Sequence, residues 1–234
     1  MATDTDPAPA PATTDVEHDY HPEHLQHHFV SSEQQFDSAK LGMWLFLITE
    51  VLLFSGMFVA YAVYRQWHPE TFAAASQTLD PVFGTVNTLV LLTSSLTVAL
   101  SIHYIQHDEV KKCVYNLLAT VGLAAVFMGI KYMEYMSKFE HGVFPGGFFD
   151  PHGAHYEFLA QVPYASQFFS IYFVMTGTLG LHVLIGMGVI AWVAYYAWRG
   201  AFSSEYYTHI ELAGLYWHLV DIVWIFLFPM LYLV

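Results

Sequence analysis

The segment from Leu41 to Tyr64 constrains the fold most, because it is almost wholly apolar and carries a single ionisable side chain, Glu50. An α-helix of about 20 residues crosses the roughly 30 Å hydrocarbon core of a bilayer. This segment is long enough to do so. It therefore predicts a transmembrane helix with a carboxyl group near the middle of the membrane.

A carboxyl group at that depth is costly unless it is neutral, paired or hydrated. Two interpretations of Glu50 follow. In the first, it is a protonated acid that hydrogen-bonds a neighbouring helix. In the second, it belongs to a proton-linked or lipid-linked functional site, which is the default for an acid inside a membrane. The sequence leaves both open.

The composition of the whole chain agrees with a membrane protein. Hydrophobic residues make up 56% of the 234 residues and charged residues only 12%, about half the charged fraction of a soluble domain. One cysteine, Cys113, excludes an internal disulfide and a cysteine-based metal cluster. The net charge of −13 argues against nucleic acid as a partner.

The chain divides into a tail and a membrane domain. Residues 1–35 are acidic and rich in Pro, Ala and His, which predicts a disordered tail without a cleavable signal. Residues 36–234 predict an all-α integral membrane bundle, because their apolar segments lack the alternation of barrel strands. The five predicted spans are about 41–64, 82–105, 114–136, 167–198 and 213–234.

Lysine and arginine in the short connections predict the orientation. Four lie on the side of the N-terminus and two on the other, which places the N-terminus in the cytoplasm and the C-terminus outside. The long connection of about 137–166 is then an external loop, and its Pro, Gly and aromatic residues predict an ordered loop that folds over a neighbouring subunit. The basic residues on the side of the N-terminus are Lys40, Lys111, Lys112 and Arg199, and those on the other side are Arg65 and Lys138.

Two histidine motifs resemble metal-binding patterns. His24, His27 and His28 form HxxHH, a histidine box of membrane di-iron desaturases, but no second box is present. His152 and His155 form HxxH without an acid or cysteine spaced to complete a site. We predict no metal site at either motif.

Polar residues recur inside the predicted spans, where each needs a partner. Asn87, Ser94 and Ser101 are seven residues apart, so they share one helical face and predict hydrogen bonds between helices. Lys131 and Glu134 are three residues apart near the end of the third span, so we expect them to pair and to snorkel to the interface.

The last span carries Trp217, His218, Asp221 and Trp224 on one face. Asp221 can accept a hydrogen bond from His218 or from a neighbouring helix. An axial haem pair formed by His182 and His218 is an alternative, but a single histidine on a membrane helix is more often a packing residue.

These motifs together resemble subunit III of haem–copper cytochrome c oxidases over about residues 36–234. The stretch GLYWHLVDIVWIFLF resembles the family's last helix, and the first span resembles its GMxLFIxSE helix, with Glu50 on the membrane glutamate. MTGTLGLHV resembles TGxHGxHV and includes His182. The other positions that match family motifs are Asn87, His103, the pair Glu134-Tyr135 and Glu211.

The sequence also departs from the family pattern. Leu179 stands where the first of two histidines is usual, Lys131 replaces a common glutamine, and Tyr206-Tyr207 occupy a common His-His pair. The 137–166 loop is longer than usual. These departures concern lipid or interface contacts and remove no known catalytic group.

The resemblance implies an accessory subunit in a bacterial inner membrane. Such a subunit binds no haem or copper itself, because these lie in partner subunits, and it has no catalytic residue. It packs on subunit I beside subunit II, binds phospholipid, and supports proton uptake and stability during turnover. The five-helix form lacks the family's first two helices, which extra helices of subunit I or a small subunit IV supply. A respiratory supercomplex is a further potential partner.

The resemblance also implies roles for particular residues. Glu50 is the candidate for a proton-linked or buried-acid role. The candidates for contacts with lipid or between helices are Asn87, His103, Glu134, His182, Glu211, Trp217, His218 and Asp221.

Three other functions remain open from the sequence. The chain is alternatively the equivalent subunit of a quinol oxidase or of a nitric oxide reductase. A stand-alone metalloenzyme built on HxxHH is a different class. A transporter built around Glu50 and Asp221 is a third, but the five spans show no inverted repeat.

Overall fold

A computed structural model describes residues 26, 29–146, 148–153 and 155–234. Five helices of this part are long and apolar enough to cross a membrane, and a sixth, α2, is short. The predicted all-α bundle with five spans is thus confirmed. The helices are α1 Ser32–Trp67, α2 Pro69–Ser76, α3 Pro81–Gln106, α4 Val110–Glu140, α5 Ala165–Trp198 and α6 Thr208–Tyr232, and a 3₁₀ turn spans Glu157–Gln161.

Helix α1 begins earlier than the apolar segment that predicts it. Ser31 is its N-cap, and the Ser31 hydroxyl accepts a hydrogen bond from Gln34 N at 3.2 Å. The first turns are polar, so hydropathy alone does not reveal them as helix. Most of the predicted tail, including the HxxHH histidines His24, His27 and His28, lies outside the described residues.

Helix α2 was not predicted from the sequence, where only a turn at Asp80-Pro81 marks this connection. Pro69 stands in its first turn, a position that proline favours. The helix lies against the start of α5: Thr71 Oγ1 donates to Pro163 O at 2.8 Å, and the rings of Phe72 and Phe168 meet edge to face at 5.2 Å.

The long helices bury side chains at a spacing of seven residues, which is typical of helices that cross at a shallow angle. Leu47, Phe54 and Tyr61 are the buried residues of α1. Helix α6 is covered most completely, and both Trp217 and Trp224 are fully buried. Most of the remaining α1 surface is apolar and exposed.

The two ends of the bundle are fixed by contacts between turns. At the end where α1 begins, Lys40 Nζ lies 2.6 Å from Glu211 Oε1, and the α3–α4 turn contacts the α5–α6 turn through Asp108 and Ser204. At the opposite end, Ser76 Oγ donates to Val234 O at 2.9 Å. Alternate connections therefore lie at opposite ends, as an up-and-down bundle requires.

The described part of the long connection before α5 is held by its own backbone and one histidine. His152 places Nδ1 2.8 Å from Asp150 O and Nε2 2.9 Å from Glu140 O, so the ring links the loop to the end of α4. Gly142 has φ +68, and an added Cβ would lie 2.0 Å from Asp150 O, so this turn requires glycine. That the loop folds over another subunit stays a prediction.

The contact between Asp108 and Ser204 depends on pH in a defined direction. The Ser204 amide and hydroxyl both donate to the Asp108 carboxylate at 2.8 Å, and these bonds lower the pKa of Asp108. A lowered pKa in the fold means that the contact stabilises the protein above the ordinary Asp pKa of about 3.9. This contribution is lost as the pH falls through the lower, folded-state value.

We expect Asp108→Asn to loosen the α5–α6 turn at neutral pH. Asparagine tolerates the left-handed backbone at φ 56, so the change removes the charge and not the conformation. Amide hydrogen exchange at Ser204 should accelerate by about two- to tenfold because a charge-assisted bond becomes a neutral one. Glu109→Gln is the matched control, since Glu109 is exposed in the same turn and forms its ion pair with Lys112, three residues further along the chain. Equal exchange in Asp108→Asn and the parent protein would contradict this account.

Candidate functional site in the polar interior of the bundle

Glu50 and His182 form a contact between α1 and α5. The Glu50 Oε2 and His182 Nε2 atoms are 2.9 Å apart, and the two side chains are 16% and 11% exposed. The ring of Phe54 meets the imidazole edge to face at 5.2 Å. Tyr216 donates its hydroxyl hydrogen to His182 O at 3.0 Å, which fixes this turn of α5 against α6.

The hydrogen bond of the second ring nitrogen of His182 determines how many protons the pair of Glu50 and His182 holds. Nδ1 lies 2.8 Å from Thr178 O, and a carbonyl oxygen only accepts, so Nδ1 carries a hydrogen. The contact with Glu50 then holds one further proton. Either a protonated Glu50 donates to a neutral imidazole, or an imidazolium donates to a carboxylate. Both states have zero net charge, which is the condition for a buried acid at membrane depth.

A second polar cluster, which we call the ion cluster, lies near the C-terminal end of α4. Glu134 accepts from Lys131 Nζ at 2.8 Å and from Lys138 Nζ at 3.1 Å. Tyr232 Oη lies 2.7 and 2.8 Å from the two Glu134 carboxylate oxygens. Lys131 also donates to Tyr172 Oη at 3.1 Å and to Tyr232 Oη at 2.8 Å.

The expectation that Lys131 and Glu134 snorkel to the interface is wrong. Each residue is only 6% exposed, and Lys138 is 2% exposed. The aromatic rings of Tyr135, Tyr172, Trp224 and Tyr232 lie 5.2 to 5.6 Å from Lys131 Nζ. Hydroxyl groups and ring faces replace water around the ammonium group, so it needs no route to the surface.

The third polar region is the seam between α3 and α6. Trp217 Nε1 donates to Ser94 Oγ at 3.0 Å, and Trp224 Nε1 donates to Thr88 Oγ1 at 3.0 Å. His218 Nδ1 lies 2.6 Å from Ser95 Oγ. These three side chains of α6 thus each meet a hydroxyl on α3, which joins the two helices.

Two oxygens of this region lack a partner. Asn87 Oδ1 and Asp221 Oδ1 are buried without a hydrogen bond in the part of the chain that the structure describes. The Asp221 carboxyl group forms a hydrogen bond with the Ser95 side chain and not with His218. Buried oxygens of this kind are costly unless water or a donor from another molecule reaches them.

The remaining candidate residues lie near the end where α1 begins. Glu211 pairs with Lys40, and His103 is exposed with its ring 4.4 Å from that of His107. The candidate residues therefore form three separate interior regions and two positions near this end, not one site. Sequence reasoning missed Tyr172 and Tyr232 as members of the ion cluster, because their partners are distant in the chain. It missed Lys138 because it counted this lysine as a loop charge, although Glu134 is only four residues away.

We expect Glu134→Gln to destabilise the protein, because it leaves two buried ammonium groups without their carboxylate. Removing one partner of a buried ion pair typically costs about 3–5 kcal/mol. Thermal unfolding of the full-length protein in detergent should show a clearly lower midpoint. Glu140→Gln is the control, since Glu140 is exposed on the same helix. Equal midpoints for the two variants would show that the ion cluster contributes nothing.

Comparison with known proteins identifies the family to which this chain is similar. The family model described as "Cytochrome c oxidase subunit III" matches residues 21–162 and 160–234. "Cytochrome c oxidase subunit 3" of Thermostichus vulcanus is 32% identical over 202 residues, which cover 84% of this chain and 88% of that protein. "Quinol oxidase subunit 3" of Bacillus subtilis (strain 168) is 28% identical over 220 residues, 90% of this chain and 97% of that protein.

The match extends to longer relatives. "Cytochrome c oxidase subunit 3" of Arabidopsis thaliana is 31% identical over 206 residues, which cover 82% of this chain and 67% of that protein. The residues that the family model matches include all five spans and the three interior polar regions described above. This chain therefore belongs to the cytochrome c oxidase subunit III family.

Proposed function

We propose that this chain is the non-redox accessory subunit III of a respiratory haem–copper terminal oxidase, which reduces oxygen to water and translocates protons. The observation that carries the proposal is the family match over nearly the whole chain, joined to an interior built around a proton-sharing acid. The membrane would be the bacterial inner membrane.

The interior histidines support a role without haem or copper in this chain. Both ring nitrogens of His182 lie within hydrogen-bond distance of protein oxygens. Nδ1 of His218 is engaged by Ser95. An axial haem pair formed by His182 and His218 would have to break these contacts. In the proposed complex, haem and copper lie in the partner subunits.

The pair of Glu50 and His182 supports a proton-linked role. It holds one proton between two groups without net charge, so the proton can move by less than an ångström without a large electrostatic cost. The same proton can leave only if another arrives, since the ionised pair without it would be a buried charge. We propose that the pair buffers proton supply to subunit I during turnover.

The exposed face of α1 supports contact with other membrane helices. Leu45, Leu52 and Val59 are seven residues apart and each is about 60% exposed, so they form one apolar stripe. We propose that helices of subunit I or of a small subunit IV pack here, with phospholipid filling the remaining gaps. Subunit II and a respiratory supercomplex complete the proposed partners.

Charge at the two ends supports the orientation with the N-terminus in the cytoplasm. Lys138 is buried in the ion cluster and so does not count as a loop charge. The end where α1 begins then has four basic residues, of which Lys111, Lys112 and Arg199 are exposed and Lys40 is half-buried, while Arg65 is the one left at the opposite end among the described residues. This asymmetry is what the positive-inside rule requires.

The equivalent subunit of a quinol oxidase is the second candidate, because relatives with that name match over 97% of their length. The electron donor distinguishes a cytochrome c oxidase from a quinol oxidase. The purified complex oxidises reduced cytochrome c in the first case and a quinol in the second.

We expect Glu50→Gln to shorten the working life of the oxidase. The amide can still donate to His182 Nε2, so the shape is kept while the exchangeable proton is lost. Initial oxygen reduction should fall at most a few-fold, and inactivation during turnover should accelerate by about tenfold, a free-energy change of ~1.4 kcal/mol. An oxygen electrode measures both.

Glu109→Gln provides the comparison, since it removes an exposed acid near the start of α4. Subunit composition of the purified complexes must be identical for the comparison to concern protons and not assembly. Unchanged turnover together with unchanged inactivation in Glu50→Gln would leave Glu50 as a structural hydrogen-bond partner only.

A further inference from the structure

The ion cluster carries more positive than negative charge. Lys131 and Lys138 place two ammonium groups 2.8 and 3.1 Å from the single carboxylate of Glu134. None of the three side chains belongs to a residue that is more than 6% exposed, so water does not screen the difference. A net charge in a protein interior is costly unless an opposite charge meets it. A further negative charge nearby would therefore stabilise the cluster.

Asp80 offsets only part of this excess charge. It attracts Lys138 electrostatically, but it is exposed to solvent, and the ion pair that Lys138 forms in the described part of the chain is with Glu134. The Oδ1 atom of Asp80 accepts a hydrogen bond from Val82 N at 2.8 Å as the N-cap of α3. Water and salt screen an exposed carboxylate of this kind.

A cavity of about 560 Å³ connects the ion cluster with the surface. Its walls include the exposed residues Gln77 and His155 as well as the buried Glu134 and Lys138. Lys131 is not among the residues that line it. The volume has room for a small ion together with several waters, each of which takes about 30 Å³. A dissolved ion can thus reach Lys138 without unfolding the protein.

We propose that this cavity binds a monovalent inorganic anion of the size of chloride, held by Lys138 as the counter-ion of the ion cluster. The site goes beyond the proposed function and does not depend on it, because it follows from the charges and contacts of this chain alone.

Lys138 has hydrogen-bonding capacity left for such an anion. An ammonium group has three N–H bonds, and the hydrogen bond of Lys138 among the described residues goes to Glu134 Oε1 at 3.1 Å. The face of the Tyr172 ring, 5.0 Å from Nζ, attracts the ammonium charge from another side. At least one N–H bond therefore remains to point at an acceptor in the cavity.

Two hydroxyl groups of the cavity wall add a second donor. The side chains of Ser137 and Tyr156 form a hydrogen bond with each other, and both residues line the cavity. Each hydroxyl has one hydrogen, and a bond between two hydroxyls uses only one of them. The other hydrogen remains for an anion, so the proposed site combines an ammonium donor with a neutral O–H donor.

The charge count selects a monovalent anion. One negative charge brings the sum over Lys131, Glu134 and Lys138 to zero. A divalent anion would reverse the sign of that sum, and the carboxylates of Glu134 and Asp80, which also line the cavity, would repel it more strongly. The preference is therefore for a halide over sulfate.

The first test follows thermal unfolding of the full-length protein in detergent while sodium chloride replaces sodium gluconate at constant ionic strength. Screening then stays constant, so a shift of the unfolding midpoint reports binding. The midpoint should rise by about 3–6 °C and level off once chloride is about tenfold above its Kd. Equal midpoints in the two salts would overturn the proposal. A rise that continues linearly with concentration is a general salt effect and would also overturn it.

The matched variants separate the excess charge from other effects of chloride. Lys131→Gln removes that charge without altering the cavity wall, and glutamine can still donate to Glu134. Its midpoint should no longer depend on chloride. Lys111→Gln removes the same charge from an exposed position at the other end of α4 and should keep the full shift. Equal chloride shifts in these two variants would overturn the proposal.

The line width of the chloride NMR signal tests binding directly and does not depend on unfolding. Chloride that exchanges with a protein site gives a broadened line, so the parent and Lys111→Gln should broaden it. Lys131→Gln and Lys138→Met should not, because each leaves one lysine paired with Glu134 and no excess charge. Equal line widths in all four proteins would contradict the site. Neither measurement uses oxidase activity, so this site and the proposed function can fail independently.

Discussion

The structure depends on one constraint: polar groups inside a bilayer must find partners within the protein, because lipid offers none. Three interior regions meet it in three ways. An acid and a histidine share a proton between α1 and α5. Two lysines surround one glutamate between α4, α5 and α6. Hydroxyl groups on α3 meet indole and imidazole nitrogens on α6.

These polar contacts also explain how the helices are ordered in space. Hydrophobic burial does not distinguish one apolar helix from another in lipid, whereas a hydrogen bond between particular residues does. Tight backbone approaches contribute to the same selection. A Cβ on Gly186 would lie 2.9 Å from the Trp217 ring, so α5 and α6 can pack in this register only with glycine at that position.

The sequence predicted the parts of the fold that depend on local pattern. Five long apolar segments gave the spans, and the family motifs gave the architecture. The sequence does not predict helix α2, because the helix is short and its first signal is a proline after a histidine, a pattern that also marks turns. Hydropathy also does not predict the polar first turns of α1, because the part of a helix that extends beyond the membrane is no longer apolar.

The interior contacts were less predictable, because they join positions far apart in the chain. The sequence marks Glu50 as a candidate for a proton-linked or buried-acid role, but nothing in the sequence links Glu50 to His182, which lies 132 positions later. Lys131 and Glu134 were recognised as a pair, yet their burial depends on Tyr232 at the end of α6. Local spacing predicts that two groups can meet, and only the fold decides whether water is excluded from them.

We propose above that this chain is a helical scaffold that serves the oxygen chemistry of neighbouring subunits. The most direct test is to release this chain from the purified oxidase and to measure haem and copper in both fractions by optical spectroscopy and elemental analysis. The account predicts that the haem and copper stay with the remaining subunits and that the released chain carries neither. Iron or copper bound stoichiometrically to the released chain would contradict it.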